Sequence, residues 1–258
     1  MDRKEWEQRL AGCEKILIGL GEEWMAERGS EKEARIIKAY GSLYNLIKDK
    51  DYFIITRATD AIIYDTVLGS RREMAASSEQ AKRGTLSCGD ADPKMIEKMD
   101  QIFPQPPVRQ DFRWDRIVAP WGNETWRQCS KACTRDIWEP GEIPDDRCPH
   151  CGAPLTGNTR QAQVYIEEGY LPQWERYTRW LAGTLNQDTL ILELGVGFEE
   201  PGVIRFPFEK TTYFNRKAFL CRVNKRFPQT AGEIKERAVG IGEDSLEWIV
   251  NLEKSCHL

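Results

Sequence analysis

Histidine is almost missing from this chain: 258 residues hold two, His150 and His257. That leaves few candidates for an imidazole base or ligand. A surplus of charge is also missing. Thirty-seven Lys and Arg face 41 Asp and Glu, a net charge of −4, so global charge gives no support to a nucleic-acid surface. No window approaches the roughly 18 consecutive apolar residues of a membrane span. The opening MDRKEWEQRL has no apolar stretch like that of a signal peptide, which gives an expectation of a cytoplasmic protein with reduced thiols. Eight cysteines are too sparse for a disulfide scaffold. No internal repeat or long low-complexity tract is seen. What remains, 40% hydrophobic and 30% charged residues, is a mix able to bury a substantial core.

Periodicity supplies the architecture. A short amphipathic helix over 2–12 precedes the apolar run Lys15–Ile18, which ends at Gly19-Leu20-Gly21 and reads as a buried strand entering a turn. Helical spacing fills 22–48, broken at Gly29-Ser30 with Ser30 as N-cap. Tyr52–Thr56 is a second buried strand. A β-α-β start of this kind predicts a parallel sheet with helices on both faces. Residues 65–112 turn polar and Pro-rich and read as an irregular insertion with one short helix near Lys94–Met99. Further strands are expected at 115–120, 189–194, 218–223 and 237–241, and helices at 172–186 and 244–253.

The sharpest motif is Cys129-x3-Cys133, fourteen residues, then Cys148-x2-Cys151. Each close pair sets two thiolates on one turn, and the two pairs suit a tetrahedral structural zinc over 126–155. Four thiols complete that site, so His150 is read as an exposed neighbour. Cys13, Cys88, Cys221 and Cys256 are scattered and read as ordinary thiols. Gly19-Leu20-Gly21 and Gly195-Val196-Gly197 are glycine turns at strand ends. Such turns let a backbone approach a phosphate, and ligands bind at the carboxyl edge of parallel strands.

Five segments in this order resemble the sirtuins, especially their microbial macrodomain-linked branch: GLG at 19–21, TRATD at 56–60, WGN at 121–123 with QC at 128–129, the paired cysteines, and LELGVGFEEPGVIRFPFE at 192–209. Val223-Asn224 resembles the strand that ends in asparagine. The resemblance implies a Rossmann-like NAD-binding domain over 1–125 and 156–258, and a small zinc-binding module over 126–155. Gly19, Leu20 and Gly21 would then face the dinucleotide phosphates. Thr56 would line the pocket and Asp60 would contact the nicotinamide amide. Gly195, Val196 and Gly197 would lie against the adenine-side ribose, Asn224 near the adenosine, and Arg205 near the reaction centre.

The chain departs from the sirtuin pattern where deacylation needs it most. Ala58 stands at the asparagine position, Trp121 at the position of the histidine or glutamine base, and Glu22-Glu23-Trp24 in place of a serine-bearing turn. An indole cannot accept the proton of a ribose hydroxyl. One reading is ADP-ribosyl transfer from NAD to a protein acceptor, which the resemblance suggests is a lipoyl-carrier protein. Glu22 or Glu23 would then steady the cationic ribose or hold its hydroxyls; the alternative for both is to cap a helix N-terminus. A second reading is a non-catalytic binder of NAD, ADP-ribose or a protein, with Trp121 stacked on a base or plugging the nicotinamide pocket. Lysine deacylation ranks below both.

Overall fold

The computed structural model describes residues 3–69 and 116–256. The expected helix near Lys94–Met99, Cys88 and most of the insertion lie outside the described residues. Helix α1 (Arg3–Gly12) leads into β1 (Lys15–Leu20), α2 (Glu31–Ile47) and β2 (Asp51–Thr56). After the insertion come β3 (Ile117–Val118), β4 (Gly122–Cys129), β5 (Ile137–Trp138) and β6 (Leu155–Thr159). The chain closes with α3 (Leu171–Ala182), β7 (Thr189–Leu194), α4 (Arg205–Phe214), β8 (Ala218–Val223), β9 (Ala238–Ile241) and α5 (Ser245–Cys256).

Six strands form one sheet in the order β3-β2-β1-β7-β8-β9, and every neighbouring pair runs parallel. Counted within this sheet alone, the order is 3-2-1-4-5-6, the doubly wound, Rossmann-like arrangement. The strands read as continuous apolar runs because both faces are covered. On one face Ile16, Ile18 and Leu20 of β1 join a core with residues of α1, α2 and α5. On the other, Leu17, Phe53 and Ile191 pack with Tyr177 of α3 and Phe208 of α4. The α/β class and the parallel sheet flanked by helices agree with the sequence. A separate antiparallel sheet, β5-β4-β6, holds residues 122–159.

Ser30 caps α2 as expected, its hydroxyl accepting the Glu33 N–H at 3.2 Å. The helix expected before Gly29 does not form. Glu22–Trp24 makes one 3-10 turn and the chain then extends. Tertiary partners explain the difference. The fully buried Trp24 donates its indole N–H to Ser245 Oγ at 3.0 Å. Asp60 Oδ2 takes the Ala26 N–H at 2.9 Å, a donor that a helix would have used internally. The strand expected at 115–120 narrows to Ile117–Val118. Among the described residues no helix is long and apolar enough to cross a membrane.

Candidate functional site

In a parallel sheet every carboxyl end lies at one edge, so the loops after β1, β2, β3, β7 and β8 converge there. These loops carry Gly21–Glu23, Thr56–Asp60, Trp121, Gly195–Glu200 and Asn224. The topological switch point falls between β1 and β7, the place where doubly wound sheets bind ligands. Gly21 and Gly195 meet there. A Cβ on Gly21 would overlap the Gly195 carbonyl and the Val196 Cα, and Gly195 has φ +66°, which favours glycine.

The remaining glycine-turn residues are more deeply set. Gly19 lies inside β1, where a Cβ would strike Ile204 and Phe208; it lets α4 pack close to the sheet. Leu20 is fully buried in the core and Val196 is nearly so. Gly197 presents its N–H at the edge, and that donor is held by Glu22 Oε2 at 2.8 Å.

Three polar residues expected at the pocket pin its loops. Thr56 Oγ1 accepts the Ala58 N–H at 3.0 Å. Asp60 accepts from Ala26 at 2.9 Å and from Ile62 at 3.0 Å. Burial pushes its carboxyl up, against the pull of those two N–H groups. Asn224 donates to the Val196 carbonyl at 3.0 Å and accepts from the N–H of Arg226 and Phe227.

Glu22 and Glu23 diverge. Glu23 Oε2 accepts the Ser245 N–H at 3.0 Å and its hydroxyl at 2.6 Å, capping α5, a helix distant in sequence. Glu22 faces the edge, where Oε1 pairs with Arg57. The other Arg57 amino group reaches Glu199 Oε2 at 2.7 Å, and the guanidinium lies 5.4 Å from the Trp121 ring centre. Trp121 is buried and donates its indole N–H to Glu200, which also takes Arg160 Nη1 at 2.6 Å. Arg205 is buried, with its guanidinium on Glu193 Oε1 at 3.4 Å and on the carbonyls of Val196, Phe227 and Gln229. Burial pulls its pKa down and neighbouring Arg222 adds to that.

The residues missed in the sequence are Arg57, Glu199, Glu200 and Arg160. Arg57 was detectable in principle: it directly follows Thr56, the last residue of β2, at the carboxyl edge where doubly wound sheets bind ligands. The glutamates and Arg160 come together only through tertiary contacts. A groove of about 770 Å³ opens beside this edge, lined by the Met25–Arg28 loop, Asp60, and Glu124 and Arg127 of β4.

At the small sheet, the sulfur atoms of Cys129, Cys133, Cys148 and Cys151 all lie within 4.8 Å of one another. Cys129–Cys151 is 3.6 Å and Cys133–Cys148 is 3.5 Å. Zinc at about 2.3 Å from each of four tetrahedral sulfurs implies sulfur separations of about 3.8 Å, so the donor set fits the metal. Burial opposes ionisation of Cys129, but the N–H groups of Cys133 and Lys131 and the neighbouring thiols bring it down to about 6. His150 is exposed and meets Asp136 at 2.9 Å, apart from the sulfur cluster.

No family model matches the chain. Over 100 residues it is 33% identical to a protein of Staphylococcus aureus (strain Mu50 / ATCC 700699) named Protein ADP-ribosyltransferase. The aligned stretch is 38% of this chain and 32% of that protein, so the chain spans about a third of the length of the curated relative it matches.

Proposed function

We propose that this chain binds NAD at the carboxyl edge of its sheet and transfers ADP-ribose to a protein acceptor, as a sirtuin-like fold stabilised by one structural zinc. The observation that carries this reading is the switch point. Two glycine turns touch there, and a backbone N–H, that of Gly197, already holds an anionic group. The partial likeness to a protein ADP-ribosyltransferase favours transfer over other uses of NAD.

In such a transfer the bond between nicotinamide N1 and ribose C1′ breaks. Nicotinamide leaves with the electron pair, and an acceptor nucleophile bonds to C1′ and gives up its proton to solvent water. We place Glu22 at the ligand edge and assign Glu23 to the fold, because Glu23 is held by the start of α5. Gly21, Gly195 and Gly197 form the backbone cradle, while Thr56, Asp60 and Asn224 hold the loops around it. Asp60 and the adjoining groove are assigned to the nicotinamide end. Arg205 is assigned to support of the Val196 loop. A lipoyl-carrier protein is the first acceptor to try. Incubation with NAD, with and without that acceptor, should release nicotinamide and leave ADP-ribose on the acceptor.

One observation favours a second reading, a binder without turnover. Ala58 and Trp121 offer no base, and the Trp121 indole N–H is taken by Glu200. Calorimetric binding of NAD or ADP-ribose with no nicotinamide released from any acceptor would select that reading over transfer.

A further inference from the structure

We propose that Glu22 is a built-in substitute for a ligand phosphate, and that Arg57 receives the phosphate when Glu22 yields its place. The inference rests on reading the switch point as the site of a pyrophosphate-bearing nucleotide. Glu22 has one oxygen on the Gly197 N–H at 2.8 Å and the other on Arg57. Gly197 leaves the space for it, since a Cβ there would sit 3.3 Å from a Glu22 oxygen. A backbone N–H and a guanidinium converging on one anionic group form the donor pattern of a phosphate site.

Charge decides what must move. Arg57 is shared by two carboxylates, Glu22 and Glu199, so the clasp carries a net charge of −1. A pyrophosphate entering beside it is repelled unless a carboxylate leaves. Withdrawal of Glu199, whose side chain is 73% exposed, breaks a solvent-screened pair at little cost but frees no backbone donor. Withdrawal of Glu22 frees both the Gly197 N–H and one Arg57 amino group. Arg57 itself stays in place. Its backbone N–H is fixed to the Leu20 carbonyl at 2.9 Å, its side chain is 15% exposed, and Trp121 lies beside the guanidinium. The edge therefore holds an anion of its own on these donors without ligand, and the exchange selects ligands with a phosphate over nucleosides without one.

The test is calorimetry on the full chain with three probes: inorganic pyrophosphate, ADP-ribose and adenosine. Glu22→Gln keeps the shape and removes the charge. It is expected to tighten pyrophosphate and ADP-ribose about tenfold, in line with the worth of a charge-assisted hydrogen bond, and to leave adenosine unchanged. Arg57→Gln is expected to weaken both phosphate probes by about the same factor. Equal or weaker pyrophosphate binding by Glu22→Gln overturns the proposal, as does failure of both wild type and Glu22→Gln to bind it. If Arg57→Gln does not fold, Glu22→Gln alone decides. The outcome is separable from that of transfer. Nicotinamide release without the Glu22 effect removes this inference and keeps the enzyme. The Glu22 effect without nicotinamide release does the reverse.

Discussion

Single residues behind the site carry much of its order. Glu193 is fully buried on β7, paired with Arg222 at 2.6 and 2.9 Å and with Arg205 at 3.4 Å. Burial pushes its carboxyl up, and the two arginines pull it back. Removing one member of such a group leaves an uncompensated buried charge, which costs about 3–5 kcal/mol. Glu193→Ala should therefore lower the urea midpoint by that amount of stability. Arg205→Ala should also lose stability, through unpaired carbonyls and Glu193, so thermal unfolding must accompany any activity measured on it. At the switch point, Gly21→Ala places a methyl group against the Gly195 backbone. We expect a loss of about 2 kcal/mol or more from this overpacking and a fall in ADP-ribose affinity, the first read by denaturation and the second by calorimetry.

Among the elements, the small sheet is the one we expect to need a bound metal as well as packing. Its buried core is Cys129, Trp138, Cys148 and Ala153, with Ile143 and Leu155 against it, too little apolar area to order the loops between 129 and 155 by itself. The knuckle from Cys148 closes tightly, with the Gly152 N–H on the Cys148 carbonyl and the Cys148 N–H on Ala153, both at 2.8 Å. Metal analysis should find about one zinc per chain. Chelation should abolish hydrogen-exchange protection over 129–155 while β1, β2, β7 and β8 keep theirs. Because zinc binds thiolates, acidification must release it as protons compete for sulfur, and this is measurable as zinc freed to a chromogenic chelator. The 3-10 turn Glu22–Trp24 shows the opposite balance. Its sequence is compatible with a helix, but Trp24, Glu23 and Ala26 each find a partner remote in the chain.

Across the whole molecule, Asp51 ties the opposite edge of the sheet together. It accepts from Lys15 of β1, from Arg116 ahead of β3, and from the Trp180 indole of α3 at 2.8 Å. Burial would raise its carboxyl, but Lys15, Trp180 and Arg116 outweigh that and hold it below the usual carboxylate range. A carboxyl depressed in the folded state contributes stability above its unfolded pKa and loses it as pH falls through the folded value. Asp51→Asn should therefore be less stable than wild type at neutral pH, with the gap closing as pH drops below about 4, read from urea midpoints across that range.

The apolar runs and the paired cysteines carried the most in the sequence alone. Apolar runs such as Lys15–Leu20 and Thr189–Leu194 specified buried parallel strands, because a strand covered on both faces has no polar side to display. The Cys129-to-Cys151 spacing specified a metal-ready cluster, because thiolate knuckles are local structures. The tertiary fold decided what each polar residue of the edge does. Glu22 and Glu23 are neighbours in the chain with the same chemistry, yet one carboxylate caps α5 and the other lies on Gly197 and Arg57. That division depends on strand order, which brings β1 beside β7 and sets residues more than 170 positions apart (22 and 197) in contact. Local sequence carries no record of such a pairing, because its energy comes from groups that only the folded sheet brings together.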